Sequence, residues 1–480
     1  MQELVINNPF QGVWNEAGAG GGKSSSIVEP VHFQAFQKGM ACYIYDYKGS
    51  PPTLGLTAYN YWLDNGKKGN FNLLNFSAPW LSKKVNPIHI NNLHNNLVIG
   101  EYANALMKNL EKTWISKTDF WANNAINFTQ AAIMYLKLKH PEFCDLPHAI
   151  SFILTDYEVT LEALASCEEI KPLIQPIIVA HEKNAEGQLT GVISSVQLPT
   201  SKLFNKELYF SLSPTKEDYD NDNVVDLDIS NEENPTSLIV CNDPNLETAL
   251  SPVISVITSV VMKNINQKGK IPCLFSIDEL PTIYIMNLSQ LPATARANKV
   301  VTFLSVQDYS QLAKDYGDKE AKTIISNMGN QFIGLTNNAD TAKRISDMLG
   351  KVKKVDISYS TSSSSNSTSE KLQLESVREM RDIAGQPIGH FTGKIAGGEP
   401  PFFSAQFEDF EGNYLQGKTA GLKPLPINIP KGYPFDKKNV NMETLKLYYN
   451  DLMVENFDRI NQNVKDILQP FREVVESKRK

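Results

Sequence analysis

Residues 15–30, "NEAGAGGGKSSSIVEP", place a glycine-rich run near the start of a chain of 480 residues. A flexible linker would lead into further irregular sequence. Here Lys23 and three serines lead directly into the apolar residues Ile27 and Val28, as at the start of a helix. The pattern therefore favours a structured loop that feeds a helix.

The run matches the Walker A pattern, in which a glycine is followed by four residues and then by Gly-Lys-Ser/Thr. Gly22, Lys23 and Ser24 supply the end of the pattern, and Ala17 stands where the first glycine is usual. Small residues let successive backbone N–H groups curl around phosphate oxygens, while Lys23 would reach the terminal phosphates and Ser24 would ligate Mg²⁺. The predicted nucleotide-binding residues are Ala17, Gly18, Ala19, Gly20, Gly21, Gly22, Lys23, Ser24 and Ser25.

The segment that should form the strand before this loop, "GVWNEAG" (12–18), is short and polar. Asn15 and Glu16 stand where a buried parallel strand is normally apolar. A flexible loop therefore remains open as the alternative to a phosphate site.

A second motif, "PCLFSIDELPTIYI" (272–285), places a hydrophobic strand directly before Asp278 and Glu279. In a Walker B element Asp278 reaches the second shell of the magnesium ion, and Glu279 polarises the attacking water. Taken alone, such a strand could end in a solvated acidic turn. Because both motifs occur in one chain, we predict that it binds ATP and Mg²⁺.

Composition limits the classes of protein to which the chain can belong. The hydrophobic content is 41% and the formal net charge is −7, so the chain is expected to be globular, with any nucleic-acid contact confined to a local surface. Five cysteines and seven histidines show no metal-ligand spacing. The most apolar run, "SPVISVITSVVM" (251–262), is shorter than a membrane span, and a soluble chain is expected.

Short β-type runs alternate with helical patterns, which predicts a parallel sheet covered by helices. The runs are residues 41–49, 236–243, 271–279, 299–308 and 330–337. The alternation stops between about residues 90 and 200, where only helical patterns occur, and we predict an all-α insertion there. The predicted units are a first nucleotide-binding part (1–88), an all-α domain (89–205), a second nucleotide-binding part (206–430) and a helical tail (431–480).

Two segments outside the motifs give further predictions. The run "SYSTSSSSNSTSE" (358–370) is of low complexity and predicts a mobile surface loop. In the tail, apolar residues recur at alternating spacings of four and three, and Pro470 should kink or end that helix. The tail could pack on its own domain or bind a partner. The apolar residues are Met453, Phe457, Ile460, Val464, Ile467, Phe471 and Val474.

From Asn8 to about residue 420 the chain resembles the TraG/TraD family of type IV secretion coupling proteins, which are conjugative DNA-pumping ATPases. The order and spacing of several motifs agree with that family. They are "NPFQGV" (8–13), "GAGGGKSSSIVEP" (18–30), "YIYDYKG" (43–49), "IDELPTIYI" (277–285), "LPATARANKV" (291–300), "VQDYSQLAKDYG" (306–317) and "NMGNQFIGLTNNADTAKRISDMLGK" (327–351). The resemblance implies a RecA-like P-loop NTPase fold with an inserted all-α domain.

The resemblance also implies roles for four further residues. Gln307 matches a glutamine that senses the terminal phosphate or orients water, and Arg296 matches an arginine that reaches the neighbouring subunit's nucleotide. Asp46 and Lys48 match an acidic and basic pair close to the nucleotide. Without the resemblance, Gln307 could cap a strand and Arg296 could be an ordinary surface residue.

The function implied is a ring, expected to be a homo-hexamer, that drives single-stranded DNA with its bound relaxase into a type IV secretion channel. Such a chain would work at the cytoplasmic face of the inner membrane. Met1 stands close to the P-loop, so the usual anchor would be missing by truncation or supplied by another subunit. Two alternatives remain: an adaptor that binds nucleotide with little hydrolysis, and a duplex DNA translocase.

Overall fold

The computed structural model describes residues 4–183, 185–362, 365–435 and 439–479. The strands are β1 (Val13–Glu16), β2 (Ala41–Asp46), β3 (Asn70–Asn75), β4 (Thr236–Cys241), β5 (Cys273–Ile277), β6 (Val300–Val306), β7 (Asn330–Ile333), β8 (Lys351–Ser362), β9 (Ser365–Ser376), β10 (His390–Lys394) and β11 (Phe402–Gln406). The α-helices are α1 (Glu29–Gln37), α2 (Thr53–Asp64), α3 (Asn96–Leu110), α4 (Thr113–Ser116), α5 (Phe120–Lys139), α6 (Leu146–Leu154), α7 (Tyr157–Ala165), α8 (Lys171–Glu182), α9 (Glu186–Ser201), α10 (Lys206–Leu212), α11 (Lys216–Asp220), α12 (Glu247–Ile265), α13 (Gln290–Thr294), α14 (Tyr309–Tyr316), α15 (Asp318–Ser326), α16 (Ala339–Leu349), α17 (Met380–Ala384), α18 (Phe410–Gly417) and α19 (Met442–Arg479).

The main sheet has nine strands in the order β11-β10-β7-β1-β6-β5-β2-β4-β3. The seven strands β7, β1, β6, β5, β2, β4 and β3 are parallel to one another. At one edge, β10 is antiparallel to β7, and β11 is antiparallel to β10. The predicted α/β sheet is confirmed. Because the central strands are parallel, the loops after β1, β2, β5 and β6 emerge at the same edge.

The polar strand β1 lies at the centre of this sheet, where Glu16 is fully buried. Its Oε1 accepts hydrogen bonds from the Tyr309 amide (3.2 Å) and the Thr341 hydroxyl (2.9 Å). Its Oε2 accepts from the Trp14 indole (3.0 Å) and from the Arg344 guanidinium. A buried carboxylate is tolerated when it is paired and hydrogen-bonded, which explains a polar residue in a central strand.

The chain between β3 and β4 forms helices α3 to α11, with no strand among them in the described residues. Side-chain caps start several of these helices: Asn95, Asp119 and Asp145 each accept a hydrogen bond from a backbone amide in the first turn. An all-α region is therefore inserted into the sheet, while its limits at residues 89 and 205 stay a prediction.

The apolar run that begins at Ser251 belongs to a longer element than the sequence predicted. Helix α12 has 19 residues, so by length and composition alone it could cross a membrane. In the fold, 72% of its apolar window is buried, and α12 packs against α3, as a core helix does.

The serine- and threonine-rich run was predicted to be a loop, and this was wrong. Its described residues lie in β8 and β9, which form an antiparallel ribbon with Lys351 opposite Ser376 and Ser362 opposite Ser365. Serine and threonine can pair through the backbone alone, so low complexity did not exclude a strand.

The tail helix α19 packs on α6, α7 and α10 of the helical insertion. Ile460, Val464 and Ile467 of the predicted stripe are buried, whereas Val474 is exposed and Val475 is buried in its place. The helix continues through Pro470 to Arg479, so the prediction that it could end at that proline was wrong, while a kink there stays a prediction. Packing on both sides of Pro470 maintains the helix despite the missing N–H.

This packing gives a stability prediction. Ile460 is fully buried, so Ile460→Ala leaves a cavity and should lower the free energy of unfolding by about 2–5 kcal/mol. The half-exposed Val474→Ala should change it by less than about 0.5 kcal/mol. Urea denaturation measures both, and equal effects would contradict the packing of α19 described above.

Candidate functional site

The loop after β1 has the backbone that a phosphate cradle requires. Gly20 and Gly22 adopt positive φ angles of 74° and 82°, which favour glycine. Ala17 is tolerated at the first position of the Walker A pattern because the residues beside it, Gly21 and Gly334, have no side chains. A Cβ on Gly21 would lie 3.2 Å from the Cβ of Ala17, and one on Gly334 would lie 2.8 Å from it.

Successive amides of this loop are available to a ligand. Gly18 and Gly21 donate to backbone carbonyls within or beside the loop, at 2.8 and 3.0 Å. Other amides have no acceptor among the described residues. They are those of Ala19, Gly20, Gly22, Lys23, Ser24 and Ser25. Free N–H groups at a helix start attract anions, so the residues present fit a polyphosphate.

Lys23 and Glu279 meet at the shared edge of the sheet. Lys23 Nζ lies 3.0 Å from Glu279 Oε2 and 3.4 Å from the Asp278 carbonyl oxygen, and both side chains are largely buried. Gln307 follows β6 directly, and its backbone N–H donates to Glu279 Oε1 at 3.1 Å. The two predicted motifs and the predicted glutamine therefore converge in one place.

Two aspartates beside this ion pair have incompletely satisfied carboxylates. Asp278 Oδ1 and Asp46 Oδ1 are buried without a hydrogen-bond partner. Burial raises the pKa of Asp278, while the charge of Lys23 opposes that shift. Burial, and next the Asp278 charge, raise the pKa of Asp46 to about 7. A cation at this edge would relieve both carboxylates.

The acidic groups present suit a weakly held ion. Among the described residues, no cluster of three or more His, Cys, Asp or Glu side chains has the geometry to enclose a metal. Mg²⁺ usually keeps several waters and binds through one or two protein ligands and phosphate oxygens. The partly exposed Ser24 and the unpartnered Asp278 fit that requirement.

Arg296 lies apart from the ion pair, whereas Lys48 acts through its charge on Asp278 beside it. Arg296 is exposed in the short helix that precedes β6, at the opposite edge of the sheet from Gln307. It therefore does not reach the site of its own chain. Lys48 is exposed near the end of β2, and its charge lowers the pKa of Asp278.

Sequence reasoning missed Glu29 and the segment before β10. Glu29 is buried in α1, and desolvation raises its pKa to about 8, while the Asp278 charge adds to the shift. A carboxylate within the apolar run after the P-loop was the available signal for Glu29. The segment before β10 touches the loop through Gly389, whose amide donates to Gly21 O at 3.2 Å. Nothing in its sequence indicated that contact.

The raised pKa of Asp46 predicts a pH dependence of stability. Between about pH 4 and pH 7 the folded state binds more protons at this group than the unfolded state, so the free energy of unfolding falls as pH rises. In Asp46→Asn this fall should be smaller. Urea denaturation across that range measures it, with exposed Asp347→Asn expected to follow the parent. A profile of Asp46→Asn that matches the parent would contradict the burial of this charge.

Comparison with solved structures gives strong matches over most of the chain. The bacterial conjugative coupling protein TrwBdeltaN70, in its unbound form, has 16% identity and a TM-score of 0.62, with 88% of each chain covered. Plasmid coupling protein TrwB in complex with ADP and Mg²⁺ has 17% identity and a TM-score of 0.63, covering 85% of this chain and 89% of that one. TrwB with the non-hydrolysable ATP analogue ADPNP has 15% identity and a TM-score of 0.62, covering 89% and 92%.

No curated protein matches the chain significantly. Residues 272–387 match the family model described as the TraM recognition site of TraD and TraG. That region includes Asp278, Glu279, Arg296 and Gln307. The resemblance found in the sequence is therefore confirmed: residues 272–387 are similar to the TraM recognition site of TraD and TraG, and the fold is similar to that of the coupling protein TrwB.

Proposed function

We propose that the chain is the ATPase of a conjugative coupling protein, which hydrolyses ATP to ADP and phosphate and moves single-stranded DNA with its relaxase into a type IV secretion channel. The observation that supports hydrolysis most directly is the meeting of Lys23, Glu279 and Gln307 beside a loop of free amides. The fold shared with TrwB, a protein solved with ADP and Mg²⁺, supports the nucleotide.

The ion pair between Lys23 and Glu279 suggests how binding prepares the site. The loop amides and the Lys23 ammonium neutralise the phosphate charge, so Lys23 exchanges its carboxylate partner for phosphate oxygens. Glu279 loses its cation and becomes free to accept a hydrogen bond from water and orient it for attack. Binding of the nucleotide thus separates the ion pair and leaves the Glu279 carboxylate available as a base.

Ser24 and Asp278 would hold Mg²⁺, the serine directly and the aspartate through water, while Asp46 adds negative charge nearby. When bound, the ion supplies charge neutralisation between the phosphates. Gln307 is tied to the base because its backbone N–H donates to Glu279. Movement of Glu279 therefore pulls on the loop after β6, which lets Gln307 report the state of the terminal phosphate.

The assembly is proposed to be a homo-hexamer in which Arg296 acts on the neighbouring chain's nucleotide. Its exposure and its place at the far edge of the sheet are what an arginine acting in trans requires. A guanidinium supplied in trans stabilises charge on the transferring phosphoryl group and makes hydrolysis depend on assembly. The ring would work at the cytoplasmic face of the inner membrane, held by an anchor or a partner subunit and by the channel components.

The adaptor hypothesis is the second candidate. Its support is the departure from the usual Walker A sequence at Ala17 and in the polar strand before it, residues that could hold nucleotide with little hydrolysis. A duplex DNA translocase shares both nucleotide motifs, and a preference for duplex over single strands would support it.

Substitutions at the ion pair separate these hypotheses. Lys23→Ala should abolish nucleotide binding, because the loop loses its only side-chain cation. Glu279→Gln should still bind ATP but lower its hydrolysis about a hundredfold or more, since the amide is no longer a base. Calorimetry measures binding, and phosphate release with and without single-stranded DNA measures turnover.

Exposed Glu476→Gln is the matched control and should keep the parent's rate. Tight ATP binding without turnover in the parent would contradict the motor and favour the adaptor.

The action of Arg296 in trans gives a separate prediction. ATPase activity per subunit should rise with protein concentration as subunits assemble, and Arg296→Ala should remove that rise. Exposed Arg472→Ala should leave it in place. Activity that is independent of concentration in the parent would overturn the role in trans.

A further inference from the structure

We propose that the side chain of Ile388 packs against the base of the bound nucleotide, an inference that rests on the proposed ATP site. Ile388 is 66% exposed, although it stands next to the P-loop. Single exposed apolar residues are common on protein surfaces. The position and the rigid support of this one distinguish it.

The sheet order places Ile388 on the side where the nucleoside belongs. On one side of β1 the sheet continues with β6 and then β5, the strand that ends just before Asp278 and Glu279. On the other side it continues with β7 and then β10, the strand that begins just after Ile388 and Gly389. Lys23 pairs with Glu279, so the terminal phosphate lies on the β5 side. The nucleoside, at the other end of the polyphosphate, therefore extends toward the β10 side.

Contacts with the loop confirm the proximity of this segment. The Gly389 amide donates to Gly21 O at 3.2 Å. A Cβ on Gly22 would lie 2.9 Å from Gly389 N and 3.4 Å from Ile388 Cγ2. A Cβ on Gly389 would lie 3.4 Å from the hydroxyl oxygen of Ser26, in the first turn after the loop. The segment thus lies against the start of the helix that holds the phosphates.

The backbone of this segment is fixed while the isoleucine side chain is free. Gln406 donates to the Ile388 carbonyl at 2.9 Å, and the Phe407 amide donates to the Gly389 carbonyl at 2.9 Å. Gln386, two residues before Ile388, is buried and donates to Gly334 O at 3.3 Å. An apolar group on a rigid support can bury one face of a purine without losing chain entropy on binding.

The test compares ligands with and without a base. The full chain and Ile388→Ala are titrated by calorimetry with Mg-ADP and with inorganic tripolyphosphate. The Kd for ADP should rise about tenfold, while the Kd for tripolyphosphate should stay unchanged, because only ADP carries the base. Leu447→Ala, at a similarly exposed leucine on α19, should change neither.

Each other outcome overturns the inference in a recognisable way. An unchanged ADP affinity would mean that Ile388 does not touch the base. An equal loss for ADP and tripolyphosphate would mean that the substitution disturbs the loop. Binding of neither ligand by the parent would overturn the proposed ATP site itself, whereas the first two outcomes leave that site standing. Matching thermal unfolding of the parent and variant verifies that the fold is kept.

Discussion

A carboxylate in the central strand is the constraint on which the rest of this fold depends. Glu16 sits in β1 between β6 and β7, and removing a charge from water costs several kcal/mol unless its oxygens are paired. Donors from β1 itself, from the start of α14 and from α16 supply those partners. Because the donors come from three elements around the glycine-rich loop, satisfying one charge also fixes the positions of the elements around the candidate site.

The charges at the edge of the sheet where β2 and β5 end are arranged in the opposite way. There the charges are incompletely matched: Lys23 has a partner, but buried oxygens of Asp278 and Asp46 have none. Unpaired buried carboxylates are costly, and such cost concentrates where a ligand completes the electrostatics. Glu16, in the strand before the loop, is fully hydrogen-bonded and has a structural role. Asp46 and Asp278, at the ends of neighbouring strands, keep unpartnered oxygens and are suited to a chemical role.

Much of the site could be predicted because Walker motifs combine short-range spacing with the geometry of parallel strands. The spacing of Gly22, Lys23 and Ser24 was enough to predict free amides, and the strand before Asp278 and Glu279 was enough to place their carboxylates. Other features depend on contacts between distant segments, which one sequence does not encode locally. The pairing of Glu16 with Arg344 and the approach of Gly389 to the P-loop are of this kind. The helix end predicted at Pro470 is absent because tertiary packing outweighed a local helix-breaking preference.

The docking of α19 on the helical insertion changes what that insertion can do. Two chain segments join it to the sheet, one after β3 and one before β4, and the proline-rich segment of residues 421–435 provides a third link. In this segment the Lys423 backbone N–H donates to Asn60 Oδ1 in α2 at 2.9 Å, and the Asn428 carbonyl accepts a hydrogen bond from the Tyr449 hydroxyl in α19 at 2.7 Å. A body joined at two points can swing about the line between them, but a third, off-axis attachment removes that freedom. The insertion is thus held so that it moves together with the sheet as one rigid body, rather than rocking against it.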